Sequence, residues 1–200
     1  MLKTTKDRRS IRTKKMIRNA LSELIEEKGF NSISITDLTT KADINRGTFY
    51  LHYLDKYDLL EKSENEILEE IQDKTKDIDS IDLLSIDSLN KPIPFMIKLF
   101  EYFKENAIFL KAILGPKGDP IFHNKLKKLI QTNLFEGKML RAFKPDNMLV
   151  PAEYFISYIL SAHLGVIQKW LENGLKEPPE EMALILTRMF LIGPFKVAGL

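Results

Sequence analysis

The chain has 200 residues, 44% of them apolar and 29% charged, an ordinary composition for a globular protein that buries a sizeable core. It contains no cysteine, which excludes disulfides, thiolate zinc sites and cysteine nucleophiles together and fits a reducing cytoplasm. A net charge of +2 does not point to nucleic acid by itself. No apolar run approaches the roughly 18 residues of a membrane span, and the opening MLKTTKDRRSIRTKK lacks the apolar stretch of a secretory signal.

Charge distribution says more than the total. Through residue 20 the bases Lys3, Lys6, Arg8, Arg9, Arg12, Lys14, Lys15 and Arg18 face one acid, Asp7. Between residues 61 and 90 the balance reverses, with acids such as Glu61, Glu66, Glu70, Asp73 and Asp82 against Lys62, Lys74 and Lys76. A basic end beside an acidic middle is the asymmetry expected when one end meets phosphates, although a solvated arm gives the same pattern.

Helical periodicity dominates, and no convincing strand is found. Ile17, Ala20, Leu21, Leu24 and Ile25 form a stripe that predicts a first helix from near Ser10 to Lys28, stopped by Gly29. Ser34 caps a second helix, with Asp37 in the capping-box position. Ile35, Leu38 and Ala42 keep helical spacing, Asp43-Ile44 breaks it, and Asn45 caps a third segment. Asp55 caps a long fourth helix through Leu59, Leu60, Ile67, Leu68 and Ile71. After about residue 72 the chain turns polar to residue 90, as a frayed helix end or a loop.

Pro92 and Pro94 suit the first turn of a fifth helix carrying Phe95, Met96, Leu99, Phe100 and Phe103. A short apolar helix from Ala107 to Leu114 ends at GPKGDP, and helical periodicity resumes from Pro120 to about Leu140. Pro151 opens an apolar helix through Tyr154, Phe155, Tyr158, Ile159, Ala162, Ile167 and Trp170, closed by Gly174. Pro178-Pro179-Glu180-Glu181 starts the last, with acids favouring the helix dipole. The expected fold is therefore all-α, with about nine helices and no internal repeat.

Residues 34–56 carry the most chemistry. Two short helices joined by a tight turn outline a helix-turn-helix, whose second helix enters the DNA major groove. Asp43 sits in the turn, where it tolerates left-handed geometry better than most residues. Arg46 falls in the first turn of the third helix, where a guanidinium reaches guanine O6 and N7. Gly47 allows the backbone close to DNA, Thr48 offers a hydroxyl and a methyl, and Tyr50 and His52 offer donors to phosphates. Phe49 and Tyr53 are expected to face inward, leaving Leu51 outward toward a thymine methyl. Lys56, after the cap Asp55, is expected to anchor a phosphate.

These residues resemble the TetR-type transcriptional regulators from about Arg12 to Leu60: GF at Gly29-Phe30, then S-I-x-D-L, K-A, I-N-R-G-T-F-Y-x-H-Y and D-K-x-x-L-L. Asp43 departs from the family's usual Gly, and Leu51 is less polar than in many members. The resemblance implies a DNA-binding head over residues 9–70, with the motif at about 33–52, and a helical effector-binding and dimerisation body over 71–200. By similarity, Thr36, Asn45, Arg46, Gly47, Thr48, Tyr50, Leu51, His52 and Lys56 would contact DNA. FLKAILGPKGDPIFHNKL and IQKWLENGLKEPPEEMA are similar to a carboxy-terminal domain of regulators in low-GC Gram-positive bacteria. That likeness implies dimerisation through the last two long helices as a four-helix bundle and identifies no ligand.

Other motifs weigh toward bland readings. His123 and His163 lack nearby acids or thiols, so no metal site is expected. The GPKGDP segment lacks the GK[ST] ending and the preceding strand of a phosphate loop, so a helix–helix turn is expected. The aromatic cluster around Phe95, Phe100, Phe103, Phe109, Phe155, Tyr158 and Trp170 suits core packing at least as well as an effector cavity.

The expected function is a cytoplasmic, homodimeric, sequence-specific DNA-binding regulator on a palindromic double-stranded operator. The expected action is repression, released by a small-molecule effector of unknown identity. Activation on the same fold, a helical interaction module and an enzyme are the alternatives. No nucleophile–base pair or cofactor loop supports catalysis, so no catalytic residue, cofactor or membrane partner is expected.

Overall fold

The computed structural model describes residues 5–75, 89–135 and 148–200. The polar stretch 76–88 and the end of the periodicity that begins at Pro120 fall outside these residues. Every described regular element is helical: α1 (Thr5–Lys28), α2 (Ile35–Lys41), α3 (Arg46–Tyr50), α4 (Lys56–Thr75), α5 (Pro94–Glu105), α6 (Ala107–Leu114), α7 (Pro120–Phe135), α8 (Ala152–Glu172) and α9 (Pro179–Val197). A single 3-10 turn, Phe30–Ser32, lies between α1 and α2. No described helix is long and apolar enough to cross a membrane.

The chain divides into two compact units, residues 1–67 with 107–122, and residues 68–106 with 123–200. In the first unit, the α1 stripe Ile17, Leu21, Leu24 and Ile25 is buried with Leu38, Phe49, Leu59 and Ile67. Helix α6 joins α1 here through Phe109, Leu110 and Ile113, all nearly inaccessible. Each such large side chain contributes roughly 1.5–3 kcal/mol on leaving water. Polar contacts fix the same pairing: Lys117 Nζ donates to the carbonyls of Glu26 and Glu27, both at 2.9 Å, near the end of α1. Those carbonyls lie in the last turn, where acceptors lack helical partners. The connection after α6 is tight enough that a Cβ on Gly118 would overlap the Ile113 carbonyl oxygen.

In the second unit, α5 packs on α9 and Phe100 meets Trp170 of α8 edge to face, centroids 5.2 Å apart. Trp170 Nε1 donates to the Glu177 carbonyl at 3.0 Å, so the indole is satisfied although buried. Thr187, fully buried, accepts from the Ile93 N–H at 3.1 Å, supplying a partner at the start of α5. Helix α9 contains a break at Gly193 (φ 74°), where only glycine is comfortable, followed by Pro194.

Candidate nucleic-acid interface

The motif is held from its ends inward. Gly29, at φ 76°, turns the chain out of α1. Ser34 then forms a full capping box: its Oγ accepts from the Asp37 N–H at 3.1 Å, and its own N–H donates to Asp37 Oδ2 at 2.8 Å. Lys28 adds an ion pair to Asp37 at 2.8 Å, and these donors hold the Asp37 carboxyl well below the usual carboxylate range. Lys41, at the other end of α2, pairs with Glu23 and Glu27 of α1 at 3.0 and 2.7 Å. Lys28 and Lys41 therefore fasten α2 to α1.

Helix α2 ends in a Schellman motif. Asp43 N–H donates to the Thr40 carbonyl at 3.2 Å and Ile44 N–H to the Thr39 carbonyl at 3.0 Å, with Asp43 left-handed at φ 51°. Asn45 caps α3, its Oδ1 accepting from the Thr48 N–H at 2.7 Å and the Thr48 hydroxyl at 3.0 Å. Asp55 caps α4 through the Tyr57 and Asp58 N–H groups at 2.8 and 2.9 Å. Each cap supplies an acceptor to amide donors that have no helical partner.

The two faces of α3 then separate. Phe49 is fully buried and Tyr53 nearly so, their ring centroids 5.7 Å apart. Burial pushes the Tyr53 phenol up to about 12. On the other side Asn45, Arg46, Gly47 and Tyr50 are exposed, as is Thr36 on α2, and Leu51 is 81% accessible. Thr48 and His52 are half-buried. Burial, and then the charge of Lys14, lowers the His52 pKa and favours the neutral ring at pH 7. Arg46 Nη2 donates to the Tyr50 hydroxyl at 3.2 Å.

Lys56 is placed otherwise than the sequence suggests. Its Nζ donates to the carbonyls of Phe30, Asn31 and Ile33 at 3.2, 2.9 and 2.9 Å, and lies 5.0 Å from the Phe30 ring centroid. All three ammonium protons are thereby engaged within the protein. Three exposed residues escaped the sequence reading: Thr40 on α2, Leu54 (79% accessible) and Tyr57 (61%). For Leu54 and Tyr57 the available signal was a large side chain without an inward-facing position. Among the described residues, no group of three His, Cys, Asp or Glu is placed to hold a metal ion.

Comparison with known proteins adds two family matches. Residues 17–62 match the family described as bacterial regulatory proteins, tetR family, and residues 90–191 match a transcriptional regulator C-terminal region. The uncharacterized HTH-type transcriptional regulator YxbF of Bacillus subtilis is 28% identical over 197 residues. That alignment covers 96% of this chain and 48% of the relative, so the chain spans about half the length of the curated relative it matches. A TetR transcriptional regulator of Streptococcus agalactiae superposes with TM-score 0.59 at 21% identity, covering 92% of this chain and 96% of that one. The fatty acid degradation regulator FadR of Bacillus halodurans gives 0.60 at 16%, covering 96% and 98%. NalD of Pseudomonas aeruginosa, the secondary repressor of the MexAB-OprM multidrug efflux pump, gives 0.60 at 18%, covering 92% and 97%. At these identities the structural likeness speaks to the fold.

Proposed function

Since the chain belongs to the TetR family of bacterial transcriptional regulators, we propose that it acts in the cytoplasm as a homodimeric repressor of a palindromic operator, released by a small-molecule effector. The observation that carries this reading is the divided face of α3. Phe49 and Tyr53 are spent on packing, while Arg46, Gly47, Tyr50 and Leu51 stand exposed on a short helix capped at its start. Such a helix costs little to order, because the Schellman turn and the Asn45 cap have already fixed its start and buried Phe49 and Tyr53 hold its inner face.

Arg46 reads a base edge, with guanine O6 and N7 as its natural partners. Leu51 meets a thymine methyl, Gly47 lets the backbone approach, and Tyr50, Thr48, Asn45, His52 and Thr36 serve phosphates and flanking positions. Lys56 works through the backbone it holds rather than through a phosphate of its own. Two copies of α3 must lie about 34–36 Å apart to enter successive major grooves. An effector in the second unit acts by changing that separation. Exposed Tyr154 and Tyr158 on α8, with Met189 on α9, supply apolar surface for the subunit seam. The family's members are DNA-binding regulators and not enzymes.

The test is selection of bound fragments from a genomic library, followed by footprinting and sedimentation. The expected outcome is an inverted repeat protected by a dimer, with affinity falling steeply as salt rises. Retention of DNA without sequence preference, or by a monomer, overturns the reading.

A further inference from the structure

The second unit encloses a cavity of about 70 Å³ whose walls come from α5, α8 and α9, with Thr75 of α4 and Ile130 of α7. Met96, Phe100, Ile159, Leu164, Leu186 and Phe190 are typical of its lining. Apart from Thr75 and His163, every lining residue among the described ones is aliphatic, aromatic or methionine. No described acid or base other than His163 faces it, so a carboxylate or an ammonium placed inside would meet no counter-charge among the described residues. Burying an unpaired charge is far more costly than burying a hydroxyl with a partner.

The two polar groups differ in what they leave for a ligand. The Thr75 hydroxyl donates its proton to the Ile71 carbonyl at 2.7 Å. Nδ1 of His163 lies 2.7 Å from the Ile159 carbonyl, which only accepts, so Nδ1 carries the hydrogen and Nε2 keeps a lone pair. Among the described residues no protein donor to Nε2 is seen. Burial holds the His163 pKa below its ordinary value, in keeping with a neutral ring at pH 7. As for size, a dry cavity of about 150 Å³ lined by Leu, Ile and Phe takes benzene, so one of about 70 Å³ admits only a short chain before its walls move.

We infer that this cavity takes a small, uncharged, mostly hydrocarbon ligand that carries one hydrogen-bond donor, received by Nε2 of His163. The assignment rests on the proposal that the second unit binds an effector and supplies the chemical class of that effector.

Trp170 is the sole tryptophan and stands against Phe100, a wall of the cavity, so its emission is placed to sense changes at that wall. The full chain is titrated at pH 7 with 1-butanol, 1-pentanol, 1-hexanol, hexanoate and hexylammonium. Saturable binding of the alcohols is expected, tightening about fourfold per methylene until the space is filled. Hexanoate and hexylammonium should bind at least about tenfold more weakly than 1-hexanol. His163→Leu should erase the preference for 1-pentanol over butyl methyl ether, which has the same number of heavy atoms but no donor. Leu99→Phe, or Ile130→Phe should the first not fold, should weaken alcohol binding by filling the cavity.

Equal affinity for the charged probes, absence of saturation with any alcohol, or an alcohol preference that survives His163→Leu overturns the assignment. A parallel measurement of operator affinity separates it from the reading beneath it. Alcohol binding without loss of DNA keeps the cavity's chemistry and sinks effector release. Release by a compound that does not compete with 1-hexanol does the reverse.

Discussion

Arg46 and Tyr50 lie one turn apart on α3 and hold each other: Arg46 Nη2 donates to the Tyr50 hydroxyl at 3.2 Å, and the guanidinium carbon is 5.6 Å from the Tyr50 ring centroid. A guanidinium fixed in this way loses less rotamer freedom when it meets a base. Arg46→Ala should weaken operator binding by about 1–3 kcal/mol and relax discrimination at one base pair. Tyr50→Phe keeps the ring and should cost less, about 0.5–1.5 kcal/mol. Fluorescence anisotropy at fixed salt on matched and mismatched operators checks both. An Arg46→Ala protein with full affinity and specificity would remove α3 from the reading face.

Lys56 predicts a different signature. Its ammonium is shared among three carbonyls that follow α1, so Lys56→Met should destabilise the first unit by about 1–2 kcal/mol. The slope of log affinity against log salt should change by much less than about one, the value expected for losing a phosphate contact. Thermal unfolding and a salt series settle the matter together. Unchanged stability with a slope reduced by about one would restore the phosphate role.

The capping box around Asp37 makes stability depend on acid. Lys28 and Ser34 depress the Asp37 pKa in the folded state, so its contribution is fully present above the unfolded value of about 3.9 and is lost as pH falls below it. Asp37→Asn should therefore lower the melting temperature at pH 6, with the gap closing toward pH 2 to 3. A gap constant across that range would show that the carboxylate charge is irrelevant. Ser34→Ala, which removes the other half of the box, should cost about 1 kcal/mol at neutral pH.

At Asp43 the backbone, not the side chain, sets the expectation. With φ at 51°, Asp43→Gly should be neutral or stabilising by up to about 1 kcal/mol, whereas Asp43→Val should destabilise by more than that. Denaturant titration of the three proteins gives the order. A valine variant as stable as the glycine one would contradict the left-handed assignment.

By itself the sequence determined whatever depends on neighbours along the chain. Apolar spacing gave the helices, and Ser34, Asn45 and Asp55 marked the starts of α2, α3 and α4 because a cap is a short-range hydrogen bond. Phe49 and Tyr53 were legible as inward because residues four apart share a helix face, and Leu51 as outward because it lies about half a turn from both. The Gly193-Pro194 break in α9 is equally local, since both residues are neighbours in the sequence.

Tertiary structure alone decided what the cations do. Lys28, Lys41, Lys56 and Lys117 look like surface charge in one dimension, yet each reaches an acid or a carbonyl distant along the chain. A carbonyl is common to every residue and leaves no mark in the sequence, so no pattern could have foretold that Lys56 holds the chain after α1. The cavity arose in the same way, because its walls come from helices far apart in sequence whose packing leaves a gap between side chains that each look like ordinary core.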